Sequence, residues 1–207
     1  MRLILIRHGE TPCNAQQLAL GRADVPLTER GRSQANALAS ALGGGAHGAI
    51  AAIYVSPLQR ALETARPLAE ALSLDVRVEP RLIEMDVGEV EGLAFGELRE
   101  RYPDFLREWR SDGLADVPMP GGETLRHVQD RAWAAVESLR ERHGGETVAL
   151  VTHNFVLLAL LCRALDLPLA RFRRLRHELA AISVVDLTPE RTTVLALNDR
   201  CHLRDEA

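Results

Sequence analysis

The sequence predicts an α/β fold organised around a mostly parallel sheet, interrupted once by a small helical excursion. Three observations predict it. Short apolar runs alternate with stretches of helical periodicity along most of the chain. Aromatic and proline residues concentrate between residues 87 and 122, where the alternation stops. The 207 residues are 46% hydrophobic, enough for one ordinary domain with its own core.

The elements follow in order. Arg2 to Ile6 is an apolar run that ends in a polar cluster, the pattern of a buried strand leading into a functional loop. Thr28 caps a helix whose apolar side is Ala35, Leu38, Ala39 and Leu42, and Gly43-Gly44-Gly45 ends it. Ile50 to Val55 is a second strand, with a helix beginning at Ser56-Pro57 and carrying Leu58, Leu62, Ala65, Leu68, Ala69 and Leu72. Val76 to Val78 is a third, short strand. The excursion then holds Phe95, Tyr102, Phe105 and Trp109 with Pro103, Pro118 and Pro120. Leu125, Val128, Ala132, Val136 and Leu139 mark a long helix closed by Gly144-Gly145. Thr147 to Val151 reads as the central strand and runs through Thr152-His153 into an apolar helix from Phe155 to Leu165. Ile182 to Leu187 and Thr192 to Leu197 read as a strand pair joined by a Thr-Pro-Glu-Arg turn, whose exposed edge would allow a homodimer.

Composition narrows the function. The 25 basic residues are all arginine, which excludes Schiff-base chemistry and a phosphate-loop lysine. A net charge of −4 argues against a nucleic-acid partner. Cys13, Cys162 and Cys201 are odd in number and widely spaced, as free thiols of a cytoplasmic protein would be. The opening apolar run is cut by Arg7 and His8 before it could serve as a leader, and Phe155 to Cys162 is too short to span a membrane.

Three strand ends carry polar side chains suited to phosphate, at the edge where open α/β sheets bind ligands. They are Arg7-His8-Gly9-Glu10-Thr11, Ser56-Pro57-Leu58-Gln59-Arg60-Ala61 and Thr152-His153-Asn154. Phosphoryl transfer needs its equatorial oxygens held and neutralised, which guanidinium forks do well, together with a nucleophile. His8, between Arg7 and Gly9, is the candidate nucleophile through a neutral ring nitrogen. A leaving alkoxide needs a proton, and Glu84 could supply it if its pKa is raised; Glu10, Asp86 and Glu89 are the other carboxylates of these segments.

Arg7-His8-Gly9-Glu10-Thr11 with Asn14, Pro26-Leu27-Thr28 with Gly31, Ser56-Pro57-Leu58 with Arg60-Ala61 and Thr64-Ala65, Glu84 with Gly88 and Glu91-Gly92, Gly121-Gly122-Glu123 and Thr152-His153 together resemble the histidine phosphatase superfamily, which includes the cofactor-dependent phosphoglycerate mutases. The resemblance implies a single three-layer domain over residues 1–207, helices on both faces of the sheet and the insertion, about 88–122, lying over the active site. It implies that His8 is the phosphorylated nucleophile, that Arg7, Arg60 and His153 bind the phosphoryl group, and that Glu84 is proton donor and then base. Asn14 and the backbone near Gly21 would be further phosphate or substrate contacts.

Mutases of this group carry a longer insertion with extra basic residues, including a lysine. The short insertion and missing lysine here point to the phosphatase branch: a phosphomonoesterase for a small phosphorylated metabolite, using neither metal nor cofactor. A mutase and a non-catalytic phosphate-binding module are the alternatives. The tail Asn198 to Leu203 resembles that of members acting on small metabolites, including metal-independent phosphoserine phosphatases, in which a tail histidine reaches the substrate; His202 would take that part. Where those phosphatases carry a second histidine after the acid, this chain has Met85-Asp86-Val87.

Other residues read more plainly. His47, His127 and His143 are expected in solvent, and Cys13 is expected to pack inertly. His177-Glu178 lacks the second histidine of a zinc-protease helix, so no metal site is expected there. Arg171 to Arg176 reads as an exposed basic face. Phe95 and Tyr102 are the insertion residues expected to bear on substrate choice.

Overall fold

The computed structural model describes residues 1–45 and 47–206, the last three by their backbone alone. The two strands whose apolar runs are most completely covered lie side by side at the centre of the sheet. These are β1 (Arg2–Arg7) and β4 (Thr147–Thr152), parallel, with Arg2 opposite Thr147 and Arg7 opposite Thr152. β2 (Ile50–Val55) and then β3 (Val76–Val78) extend the parallel sheet beyond β4. On the other side β5 (Ile182–Leu187) runs antiparallel to β1 and pairs with β6 (Thr192–Asp199), giving the order β3-β2-β4-β1-β5-β6. Strand periodicity assigns the core: Leu3, Leu5, Val148 and Leu150 face one layer, while Ile4, Ile6, Ala149 and Val151 face the other.

A four-residue helix, α1 (Pro12–Ala15), follows β1, and α2 (Glu29–Gly43) and α3 (Gln59–Leu72) cover the second face. The insertion contributes α4 (Phe95–Arg101) and α5 (Pro103–Glu108); with α6 (Leu125–Arg142) and α7 (Asn154–Ala164) it covers the first. The three-layer α/β class is as expected, with two local corrections. α3 begins at Gln59 rather than at Ser56-Pro57, because its first free amide is capped by a distant side chain, Asp24 Oδ1 at 2.6 Å. His143 is buried rather than solvated: its Nε2 lies 3.0 Å from the Tyr54 hydroxyl and its Nδ1 2.6 Å from Glu146.

The insertion is pinned at its neck, where the Glu89 amide donates to the Pro120 carbonyl at 2.8 Å and the Glu123 amide to that of Asp86 at 2.9 Å. Gly88 has a φ of +54°, and a Cβ there would collide with Pro120 and Gly121. The insertion is rooted by aromatic packing: Trp109 lies 5.6 Å from Phe105 and 5.8 Å from both Phe155 and Phe172, between ring centroids. Among the described residues no helix is long and apolar enough to cross a membrane.

On the opposite side, the loop after β1 lies backbone to backbone against the first turn of α2. A Cβ on Gly9 would stand 2.5 Å from the Gly31 carbonyl oxygen, and one on Gly31 would overlap the Glu10 carbonyl. Gly31→Ala is therefore expected to destabilise the fold by about 3 kcal/mol, measured by denaturant unfolding, and to lower activity by displacing residues 8–10.

Candidate active site

The ends of the parallel strands open into a cavity of about 890 Å³ between the sheet and the insertion. Arg7, His8, Asn14 and Glu84 line it. His8 follows the last residue of β1 and is held through its backbone, its amide donating to Thr152 O at 3.0 Å and its carbonyl accepting from Ala180 at 3.2 Å. Its Nδ1 lies 2.7 Å from the Gly9 carbonyl oxygen. A carbonyl only accepts, so Nδ1 carries the hydrogen and Nε2 keeps its lone pair. Burial, then Arg60 and Arg7, hold His8 well below the usual histidine pKa, so the ring is neutral near pH 7.

Glu84 comes from the loop after β3. One carboxylate oxygen accepts from the Met85 amide at 2.8 Å and the other from the Phe155 amide in the first turn of α7, at 3.3 Å. These bonds and the nearby Arg60 and Arg7 favour the carboxylate, but burial outweighs them and raises its pKa. The loop is fixed by Arg131, which donates to the carbonyls of Arg81 and Glu84 at 2.6 and 3.1 Å. The rival carboxylates are engaged elsewhere: Glu10 accepts from Thr28, Asp86 from the Gly88 amide and Glu89 from Tyr102.

Arg60 and His153 stand behind His8, fully buried, and neither lines the cavity. The His8 and His153 ring centroids are 5.2 Å apart. Arg60 donates Nε to His153 Nδ1 at 3.2 Å, Nη1 to Ala23 O at 2.8 Å and Nη2 to Gly21 O at 2.6 Å. His153 Nδ1 is thereby an acceptor, so its Nε2 carries the hydrogen, 2.6 Å from Ser56 Oγ. Each terminal nitrogen of Arg60 retains one uncommitted N–H.

Gly21 thus meets the site through Arg60, and its amide donates to Glu91 at 2.7 Å. Glu91 also accepts from Ala23 at 3.1 Å, which fixes the carbonyls that orient Arg60. Asn14 Oδ1 accepts from the Thr11 amide at 3.1 Å and hydroxyl at 2.8 Å, leaving its NH2 group uncommitted. His202 lies off the cavity, with Nε2 3.0 Å from the Ala180 carbonyl oxygen. Phe95 lines the cavity and Tyr102 does not.

Arg173, Arg176 and His177 are among the lining residues that a reading of the sequence does not assign to the site. Arg173 and Arg176, from the basic run expected to be a plain exposed face, are exposed and yet form part of the cavity wall. His177 is 1% exposed, its carbonyl accepts from Arg7 Nη1 at 2.6 Å, and neither ring nitrogen has a hydrogen-bond partner. No motif marks it, because its place depends on packing against Arg7. Burial and then Arg7 lower its pKa to about 4. Between pH 6.5 and 4 the unfolded chain therefore binds a proton at this histidine that the folded chain does not. Stability falls as pH drops through that window, by roughly 3 kcal/mol in full, and His177→Phe is expected to remove this part of the acid sensitivity, measured as unfolding free energy against pH.

Among the described residues no group of three or more His, Cys, Asp or Glu is placed to hold a metal ion. The arrangement can therefore present an anion with a guanidinium, a neutral imidazole lone pair and a carboxyl group of raised pKa.

Known proteins resemble this chain over nearly its whole length. Phosphoserine phosphatase 1 of Hydrogenobacter thermophilus is 36% identical over 203 residues, covering 98% of this chain and 94% of its own. A Salmonella paratyphi B protein named "Probable phosphoglycerate mutase GpmB" is 35% identical over 189 residues, covering 90% of this chain and 85% of its own. The solved structure of Bacillus stearothermophilus YhfR superposes with a TM-score of 0.90 at 33% identity, covering 98% and 99% of the two chains. Residues 3–200 match the family profile described as histidine phosphatase superfamily (branch 1), and the chain belongs to that family.

Proposed function

We propose that the protein is a phosphomonoesterase that hydrolyses a small phosphorylated metabolite through a phosphohistidine on His8. The observation that carries this reading is the His8 tautomer: Nδ1 is committed to Gly9, so the lone pair of a neutral ring is on Nε2, in a cavity that also holds a Glu84 carboxyl of raised pKa. Nε2 attacks phosphorus as the ester P–O bond breaks, and the leaving oxygen takes the Glu84 proton. Water then attacks the phosphohistidine, giving a proton to the Glu84 carboxylate as the N–P bond breaks and inorganic phosphate forms. Arg7, with its head in the cavity wall, and the uncommitted N–H groups of Arg60 offset the phosphoryl charge, while His153 supports them from behind. Asn14 turns its NH2 group to the same phosphoryl oxygens.

Hydrolysis is preferred to mutase action because a mutase must retain a bisphosphate, and the chain holds no lysine for the extra grip. The test is turnover of 4-nitrophenyl phosphate and of a panel of phosphorylated metabolites in the presence of a chelator, beside a coupled assay for 3-phosphoglycerate isomerisation. Phosphate release without isomerisation supports the reading. Isomerisation stimulated by the bisphosphate, or no turnover of any ester, overturns it.

A further inference from the structure

Arg110 and Arg173, which line the cavity, have no carboxylate partner among the described residues of the kind that Arg171 and Arg176 have. Arg171 pairs with Asp112 at 3.0 Å, and Arg176 pairs with Glu178. Arg173 instead donates Nη1 to the Trp109 carbonyl at 3.0 Å, with its guanidinium carbon 4.6 Å from the Phe172 ring centroid and 5.1 Å from that of Trp109. Arg110, one residue beyond Trp109, also lines the cavity. It stands close enough that, after burial, its charge is what lowers the Arg173 pKa. Among the described residues neither guanidinium has a carboxylate within 4 Å.

Two like charges lining one cavity, one of them stacked on aromatic rings, repel each other unless an anion lies between them. Stacking fixes the plane of the Arg173 fork, so little side-chain freedom is lost when an oxyanion docks. The wall shared by this pair and the reactive end is apolar, with Val87, Leu98, Phe105, Phe155 and Leu158 among its lining residues. We infer that Arg110 and Arg173 form an anion subsite, and that the substrate is a phosphomonoester whose leaving group carries a carboxylate on an apolar or aromatic body. The inference rests on the phosphatase reading for its first phosphate, and it places the second anion on groups outside the catalytic set.

A matched pair of probes tests it: 2-naphthyl phosphate and its 6-carboxy derivative, with the corresponding phosphonates as non-hydrolysable analogues. The wild-type protein is expected to favour the carboxylated ester in kcat/KM on the order of tenfold, and the carboxylated phosphonate in Kd by a similar factor, declining as salt is raised. In the Arg110→Gln/Arg173→Met double variant both preferences fall to near one; the methionine keeps an apolar contact with the rings. Equal affinity of the two phosphonates for the wild type overturns the subsite, as does an unchanged preference in the double variant. If neither ester is turned over, the phosphatase reading fails while the phosphonate affinities still decide the subsite. If the double variant does not fold, the salt dependence of the wild-type preference decides it, and a preference insensitive to salt counts against the subsite.

Discussion

His8→Ala is expected to lower kcat by a factor on the order of 10⁴ or more, without loss of fold. The nucleophile is removed. Of the two other imidazoles nearby, His153 has both ring nitrogens engaged, by Arg60 Nε at 3.2 Å and Ser56 Oγ at 2.6 Å, and His177 is buried with its carbonyl held by Arg7. Binding should survive, because Arg7 and Arg60 keep the hydrogen bonds that orient them, to the carbonyls of His177, Ala23 and Gly21. Steady-state rates and inhibition by inorganic phosphate in the variant separate the two effects. A variant that keeps a tenth of wild-type kcat would show that another group attacks phosphorus.

Glu84→Gln is expected to lower kcat for alkyl phosphates by roughly 10²- to 10⁴-fold. Its pH dependence is the sharper readout. As acid in the first step, Glu84 acts while protonated, and burial raises its pKa, so kcat/KM falls as pH rises through that raised value. His8 acts while neutral, and its pKa is held well below 6.5, so the acid limb lies on the other side, at low pH. The glutamine variant should lose the alkaline limb and keep the acid one. Because 4-nitrophenolate leaves without a proton, its release should suffer far less than that of an alkoxide. Equal losses for the two leaving groups would remove Glu84 from the role of acid.

Much of the fold was legible because its signals are local. The apolar runs at Arg2 to Ile6 and Thr147 to Val151 mark the two central strands, and the Thr28 cap and the glycines at 43–45 bound α2 where expected. The reactive end was legible for a topological reason: parallel strands bring His8, Ser56 and His153 to one edge, and the register sets Arg7 opposite Thr152. What escaped depends on contacts between distant segments. Asp24 caps α3 across 35 residues, and Glu91 braces the loop that orients Arg60. His143 looked like a solvated helix-end residue, yet Tyr54 on a strand 89 positions away draws it inside. Arg173 and Arg176 looked like surface charge because sequence shows a basic run but not the insertion facing it. The outlying position of His202 likewise follows from a contact, to the Ala180 carbonyl, that no periodicity announces.

The central claim is that the phosphoryl group passes through His8. Rapid mixing of the protein with a radiolabelled phosphomonoester, followed by quenching and separation of the protein, measures it directly. The account predicts protein-bound phosphate that is labile in acid and stable in alkali, that forms at least as fast as kcat, and that maps to His8. Steady turnover with no labelled protein at any time, or label on a residue other than His8, would contradict it.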